Sequence, residues 1–500
     1  MRKGLLGSWI LGVLLLLSLA TETAAVEILA RGRIRIKWGV TNFSEFSNFG
    51  NTQTELDIPA QDDDTLFLVR QRFRNWWTFK ANEHLRAVWG MEIGYLDLGV
   101  AENTEGADLP GNRVGRGSGG GTGADGVNVE TKNLYLQFDV PYTHLEALMG
   151  LIPFGADPLT DGAFTGDDIP GVWVRGPLGP VDIHFVWSPL QRHPFSQRGF
   201  PENRQSRAKN AYFFSFGYTI PDGIIPWVKG LRVGSGFNYI DDNTTRGEGF
   251  TTEAYMTGLN VAGQIGRFRF KNHFAYAWEQ SGAASKRAAS DDFGLRSSGL
   301  APDPEPARRH GIFNKFELRF PLGPGHFKFV NLFVSGDSDR SRGDLKERPT
   351  QDLSALPREF AFTTDNFFPG TEIVFGNLVD ELILVETIPN DDLGLIFNMF
   401  GYTLKPTPTT SVGLVVAPTW SAAGNPNSKD GSKYMGTEIS LPLEIKLWDQ
   451  LSVRLTPAYF ITGGFFELDP TIPGANQAAR AAREDPSDVW LIAGRFQFVY

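Results

Sequence analysis

Residues 31–40 read RGRIRIKWGV. In an extended chain successive side chains point to opposite faces, so Arg31, Arg33, Arg35 and Lys37 fall together while Ile34, Ile36, Trp38 and Val40 fall opposite them. Helical spacing mixes the two sets. A soluble sheet would turn the apolar face to a core and the charged face to water. A membrane barrel turns the apolar face to lipid and the charged face to a wet lumen.

The pattern recurs along the chain. In Leu66–Lys80, Arg70, Arg72 and Arg74 share a face, with Val69, Phe73, Trp77 and Phe79 on the other. A turn at Ala81–His84 leads to Leu85, Ala87, Trp89, Met91, Ile93 and Tyr95, alternating with Arg86, Gly90, Glu92 and Gly94. Further on, Phe268, Phe270, Phe274, Tyr276 and Trp278 alternate with Arg267, Arg269, Lys271 and His273. Tight connections rich in Pro, Gly and Asp, such as Pro141–His144 and Pro321–Gly325, alternate with long ones to the end of the chain. Nothing in a soluble meander forces that rhythm, whereas outer-membrane barrels have short periplasmic turns and long outer loops. The expected fold is all-β: a transmembrane antiparallel up-and-down β-barrel of about 18 strands, with both termini periplasmic. Two stretches, Met256–Val261 and Lys328–Val334, are apolar on both faces and leave inside and outside open. Residues 359–387 read either as a loop helix or as an extra hairpin, which would make 20 strands.

Composition fits this class. An aromatic content of 13% with 56 Gly and a mean hydropathy of -0.20 suits strands that are only half apolar. A net charge of -10 argues against a general nucleic-acid binder, yet several strand-like stretches are basic while most long loops are acidic. With no Cys, disulfides, thiolate nucleophiles and Cys metal sites are excluded. Arg2 and Lys3 precede the apolar run Leu5–Ala20, and Thr23-Ala24-Ala25 offers a cleavage site, so residues 1–25 are predicted to be a signal peptide and 26–500 a single barrel domain. No later stretch holds the 18 or so consecutive apolar residues of a spanning helix.

The chain closes on Arg495-Phe-Gln-Phe-Val-Tyr500, with Phe496, Phe498 and Tyr500 on one face. This resembles the terminal strand of outer-membrane barrels, which the barrel-assembly machinery reads as a folding signal. The segments VRQRFRNWWTFKANEHLRAVWGMEIG and LYLQFDVPYTHLEALMGLIPFG resemble parts of the 18-stranded alginate-export and related substrate-specific porin families. The two segments make up about a tenth of the chain. Their resemblance implies a porin-like class and leaves the solute open.

Arg or Lys facing lipid at mid-depth costs about 2 to 4 kcal/mol, so the cations of the first two strands are placed in the lumen. The predicted lumenal set is Arg31, Arg33, Arg35, Lys37, Arg70, Arg72, Arg74, Arg86, Arg267, Arg269, Lys271 and Arg495, joined by Arg175, Arg232, Lys315, Arg319 and Arg454. Lumenal acids are fewer: Glu92, Asp139, Glu146, Asp182, Glu317, Glu438 and Glu444. Such a wall concentrates anions and repels cations. Alternatively, the guanidinium groups pair with carboxylates and only fill the wall. Phe154–Pro170, carrying Asp157, Asp161, Asp167 and Asp168, is the candidate constriction loop, or else a plain acidic surface loop.

The remaining motifs carry little chemistry. The acidic pairs and triplets lack EF-hand spacing, and the seven His show no ligand spacing, so no metal centre is expected. Gly117–Gly126 lacks the Lys-Ser/Thr of a phosphate loop, and there is no G-x-S-x-G. The leading expectation is a non-enzymatic, cofactor-free porin-like channel in the outer membrane of a double-membrane bacterium, for passive diffusion of small anionic or polar solutes. An export channel for an anionic, alginate-like polysaccharide is the alternative. A barrel enzyme lacks a visible nucleophile and base, and a plugged structural barrel is a further possibility. Expected partners are outer-membrane lipids, the barrel-assembly machinery and anionic solutes, with monomer and homotrimer both open.

Overall fold

Pairing of alternating strands organises the whole chain. The computed structural model describes residues 26–42, 65–97, 129–154, 168–192, 208–242, 252–281, 307–336, 371–374, 394–424, 428, 430–467 and 488–500. The predicted signal peptide, Asp157, Asp161, Asp167 and Gly117–Gly126 lie outside them. So does most of 359–387.

In chain order the strands are β1 (Glu27–Thr41), β2 (Leu66–Lys80), β3 (Leu85–Asp97), β4 (Val129–Asp139), β5 (Glu146–Pro153) and β6 (Asp168–Leu178). There follow β7 (Val181–Arg192), β8 (Ala208–Thr219), β9 (Val228–Asp242), β10 (Thr252–Ile265), β11 (Phe268–Ser281) and β12 (Ala307–Leu322). Next come β13 (Gly325–Val334), β14 (Leu395–Thr407), β15 (Thr410–Trp420) and β16, in two pieces, Tyr434–Ser440 and Leu443–Lys446. Last are β17 (Leu451–Thr462) and β18 (Val489–Val499).

The two pieces of β16 are one strand. Val415 pairs with Ser440 and Val412 with Leu443, so the register runs unbroken across Leu441–Pro442, where proline has no N–H to give the ladder. Each strand pairs antiparallel with its sequence neighbours, and β1 closes the ring on β18 from Arg33↔Val499 to Thr41↔Leu491. The result is a closed 18-stranded up-and-down barrel. Strand β13 pairs directly with β14, and residues 371–374 are not a strand, so the sheet gains no hairpin there.

The outer face is apolar between two aromatic belts. On β8–β11, toward the loop end, Tyr212, Tyr239, Tyr255 and Trp278 form a row with ring centroids 6.0, 4.9 and 5.1 Å apart. At the turn end Phe268, Phe320 and Phe327 lie 5.0 Å apart in succession. On β11 the belts are Phe268 and Trp278. Ten residues of strand tilted by about 40° rise about 25 Å along the barrel axis, the height of an outer-membrane apolar band. Between the belts, exposed side chains such as Phe214, Leu259, Phe274 and Ile492 face outward. These features make the chain an outer-membrane β-barrel.

The seam depends on a glycine. Trp38 lies across Gly494, its register partner, where an added β-carbon would come within 2.2 Å of the indole. Beside it, Phe496 and Phe498 pair with Ile36 and Ile34 on the lipid side. Tyr500 exchanges backbone hydrogen bonds with Gly32, 3.0 Å from the Gly32 N–H and 3.1 Å to its carbonyl.

The lumenal cation wall as candidate functional site

Register places the charges of β1 and β2 in rows across neighbouring strands. Lys37 is flanked by Arg70 on β2 and Arg495 on β18, and Arg495 by Arg454 on β17, giving four cations side by side. The row beneath is Arg72, Arg35 and Gln497, with Arg35 Nε donating to Gln497 Oε1 at 3.0 Å. Below that stand Arg74 and Arg33, then Arg31 opposite Trp76. The Arg31 and Arg33 guanidinium groups each lie 5.9 Å from the Trp76 ring centroid. Lys37 and Arg72 are 4% and 8% exposed, while apolar Ile34, Trp38 and Phe73 take the opposite face, so these cations point inward.

Like charges opposed on neighbouring strands are unfavourable. Two of them about 5 Å apart repel by about 3 kcal/mol at an effective dielectric of 20. Glu92 on β3 supplies part of the balance. It pairs with Arg74 and lies 3.9 Å from Arg72 and 3.8 Å from Lys132. Lys132 also holds Asp168 at 2.5 Å, and Asn133 donates to the same carboxylate at 2.6 Å while accepting from Trp76 Nε1 at 2.9 Å. Gly90 leaves room for that indole, since a β-carbon there would sit 2.6 Å from it. Asp168 is therefore the first residue of β6, fixed to the wall, and not part of a loop as the sequence reading placed it. In this sector cations outnumber carboxylates among the described residues.

A second basic group lies on the turn-end half of β11–β13. Arg269, Arg319 and Lys328 share one row, and His273 and Lys315 another. Glu317 anchors them, 2.5 Å from Arg319 Nε and 3.7 Å from Lys328 Nζ, with Lys271 as its cross-strand neighbour.

Elsewhere the predicted cations meet acids. Glu146 takes hydrogen bonds from Arg86 at 3.2 Å, from Arg175 at 2.8 and 3.0 Å, and from Gln137. Arg232 reaches Asp182 at 3.4 Å. Arg267 is outside the strands, in the turn between β10 and β11, with its guanidinium 5.6 Å from the Phe268 ring. At that end His84 Nδ1 lies 2.7 Å from Asp139 Oδ2, and this hydrogen bond raises the imidazole pKa above its usual 6.5.

On β7–β14 the loop-end half of the wall is different: most of its inward side chains are apolar. Val186, Phe213, Met256, Phe313, Leu332 and Phe397 are buried there, in one cluster with Phe465 and Phe466 of 463–467 and with Ile373 and Val374 of 371–374. Thus Lys328, Val330, Leu332 and Val334 face inward, and Phe327, Phe329 and Phe333 outward. Sequence reading missed Lys132, because a bulge between β3 and β4 breaks the alternation there. It also missed Lys328, Trp76 and the segment 371–374. A lone carboxylate at Glu438, among apolar and small inward positions of β16, was the available signal.

No protein-family model matches the chain, and no curated protein matches its sequence. Among solved structures it is similar to OccAB1 of Acinetobacter baumannii at 8% identity, covering 96% of this chain and 99% of that one, with a TM-score of 0.49. OccK8 (OprE) of Pseudomonas aeruginosa is similar at 12% identity over 95% and 98%, with a TM-score of 0.47. The outer membrane protein opdK of Pseudomonas aeruginosa is similar at 11% over 95% and 98%, with a TM-score of 0.45.

Proposed function

We propose that this barrel is a passive outer-membrane channel for small anionic or polar solutes, with the cation rows of β17, β18, β1 and β2 as its selectivity surface. The observation that carries the reading is the row Arg70, Lys37, Arg495, Arg454, four cations in register on adjacent inner-face positions. Like charges on adjacent positions repel one another, and an anion moving along them relieves the repulsion at each step. Arginine keeps its charge at any physiological pH, and its planar fork can hand a carboxylate or phosphate from one site to the next. The ion pairs around Glu146 and Asp182 serve the wall itself.

The test compares two triple variants in planar bilayers under a salt gradient. R70Q/R72Q/R74Q is expected to move the reversal potential toward the cation by lowering the anion-to-cation permeability ratio at least threefold. R86Q/R175Q/R232Q, which removes cations held by Glu146 and Asp182 away from the cation rows, is expected to leave the ratio within a factor of 1.5, on the order of 0.2 kcal/mol. An unchanged potential in the first variant gives these arginines a packing role only.

A further inference from the structure

Glu438 is a wall residue bonded to something that is not the wall. It lies on the inner face of β16, fully buried, between register partners Ala417 and Phe460. Its Oε1 accepts the Glu372 N–H at 2.7 Å, and its Oε2 accepts the Ile373 and Val374 N–H groups at 3.0 and 2.9 Å. Three successive backbone amides converging on one carboxylate make an anion-holding concavity, and hydrogen bonds to an ionised acceptor are about twice as strong as neutral ones. Here the wall supplies the anion, and the segment entering the lumen supplies the amides. Ile373 and Val374 pack into the inner apolar cluster, which seats the segment from its other side.

Held this way, the segment delivers a carboxylate of its own. Arg454 Nη2 donates to Glu372 Oε1 at 2.8 Å, and the Glu372 side chain is fully buried. Arg454 is the end member of the row Arg70, Lys37, Arg495, Arg454. We infer that residues 371–374 form a tethered anion seated at the end of the lumenal cation row, with Glu438 as the residue that positions it. Glu372 then sets how strongly the row draws solute anions, because it already occupies the last cation. Glu438 sets how far the segment can withdraw. This inference rests on the channel reading above.

The two roles separate by mutation. Glu372→Gln leaves the three amide bonds in place and removes the negative charge that the segment sets on Arg454, so it is expected to raise the anion-to-cation permeability ratio about twofold or more with little change in conductance. Glu438→Ala releases the segment, so single-channel conductance is expected to rise by half or more. The chain has no cysteine, so Val374→Cys gives one labelling site. Its reaction with a charged thiol reagent is expected to be at least tenfold faster beside Glu438→Ala than beside native Glu438. Folding is checked by retarded mobility on unboiled gels. If Glu438→Ala does not fold, Glu438→Gln replaces it, and if neither folds, Glu372→Gln decides on the permeability ratio alone. A native protein that conducts, with folded variants matching its conductance, permeability ratio and labelling rate, overturns the tethered anion and leaves the channel standing. A native protein and variants that all pass no current overturn the channel reading, and this inference with it.

Discussion

At the scale of single residues, barrel closure turns on the absence of a side chain at position 494. Trp38 fills the space a β-carbon would take, on the lipid side of the β1–β18 seam. Gly494→Ala should therefore cost about 1 to 3 kcal/mol through overpacking, and Trp38→Ala should restore most of the loss. The folded fraction on unboiled gels after refolding into vesicles measures both. A second local expectation concerns His84, whose hydrogen bond to Asp139 raises its pKa above 6.5. The partner favours the imidazolium, so its stabilising effect is complete below about pH 6.5 and fades as pH rises through the folded-state pKa. An NMR titration of the protein in detergent should place the His84 midpoint above 6.5, and Asp139→Asn should bring it down. Equal midpoints would remove the pair from the account. Inside and outside were legible wherever a charge alternates with an apolar residue, as at Arg35 and Ile36, because lipid and water reject opposite side chains.

Strands differ in how far that logic reaches. β1, β2 and the turn-end half of β11 carry charges on one face and apolar residues on the other, so their alternation is plain in the sequence. β13 does not, because Val330, Leu332 and Val334 are buried inside against other apolar groups while Phe327, Phe329 and Phe333 face lipid. Two apolar faces cancel the period-2 signal, and only pairing with β12 and β14 resolves the direction. The consequence is measurable. Leu332→Ala opens a cavity in a packed interior and should cost about 2 to 5 kcal/mol. Phe329→Leu, on the lipid face, should cost well under half as much. Urea unfolding of the vesicle-inserted barrel compares them, and equal losses would place Leu332 in a wet lumen. The segment 371–374 was illegible for another reason. Its partner Glu438 lies 64 to 66 positions away and binds backbone amides, which every sequence carries alike.

For the molecule as a whole, the expected 18-stranded barrel stands, and the charges of its wall fall into sectors. Cations stand in rows on β17, β18, β1 and β2 and cluster around Glu317 on β11–β13. Between them run the ion pairs at Glu146 and Asp182, and toward the loop end lies the apolar packing. Composition could not reveal this division, since an overall charge of -10 hides a basic strip. The measurement that bears most directly on it is the zero-current potential of the native barrel between potassium chloride solutions differing tenfold in concentration. A potential displaced toward the chloride equilibrium value, and collapsing as both solutions are made more concentrated, is the expected result. A potential displaced toward the potassium value in a conducting native channel would contradict it.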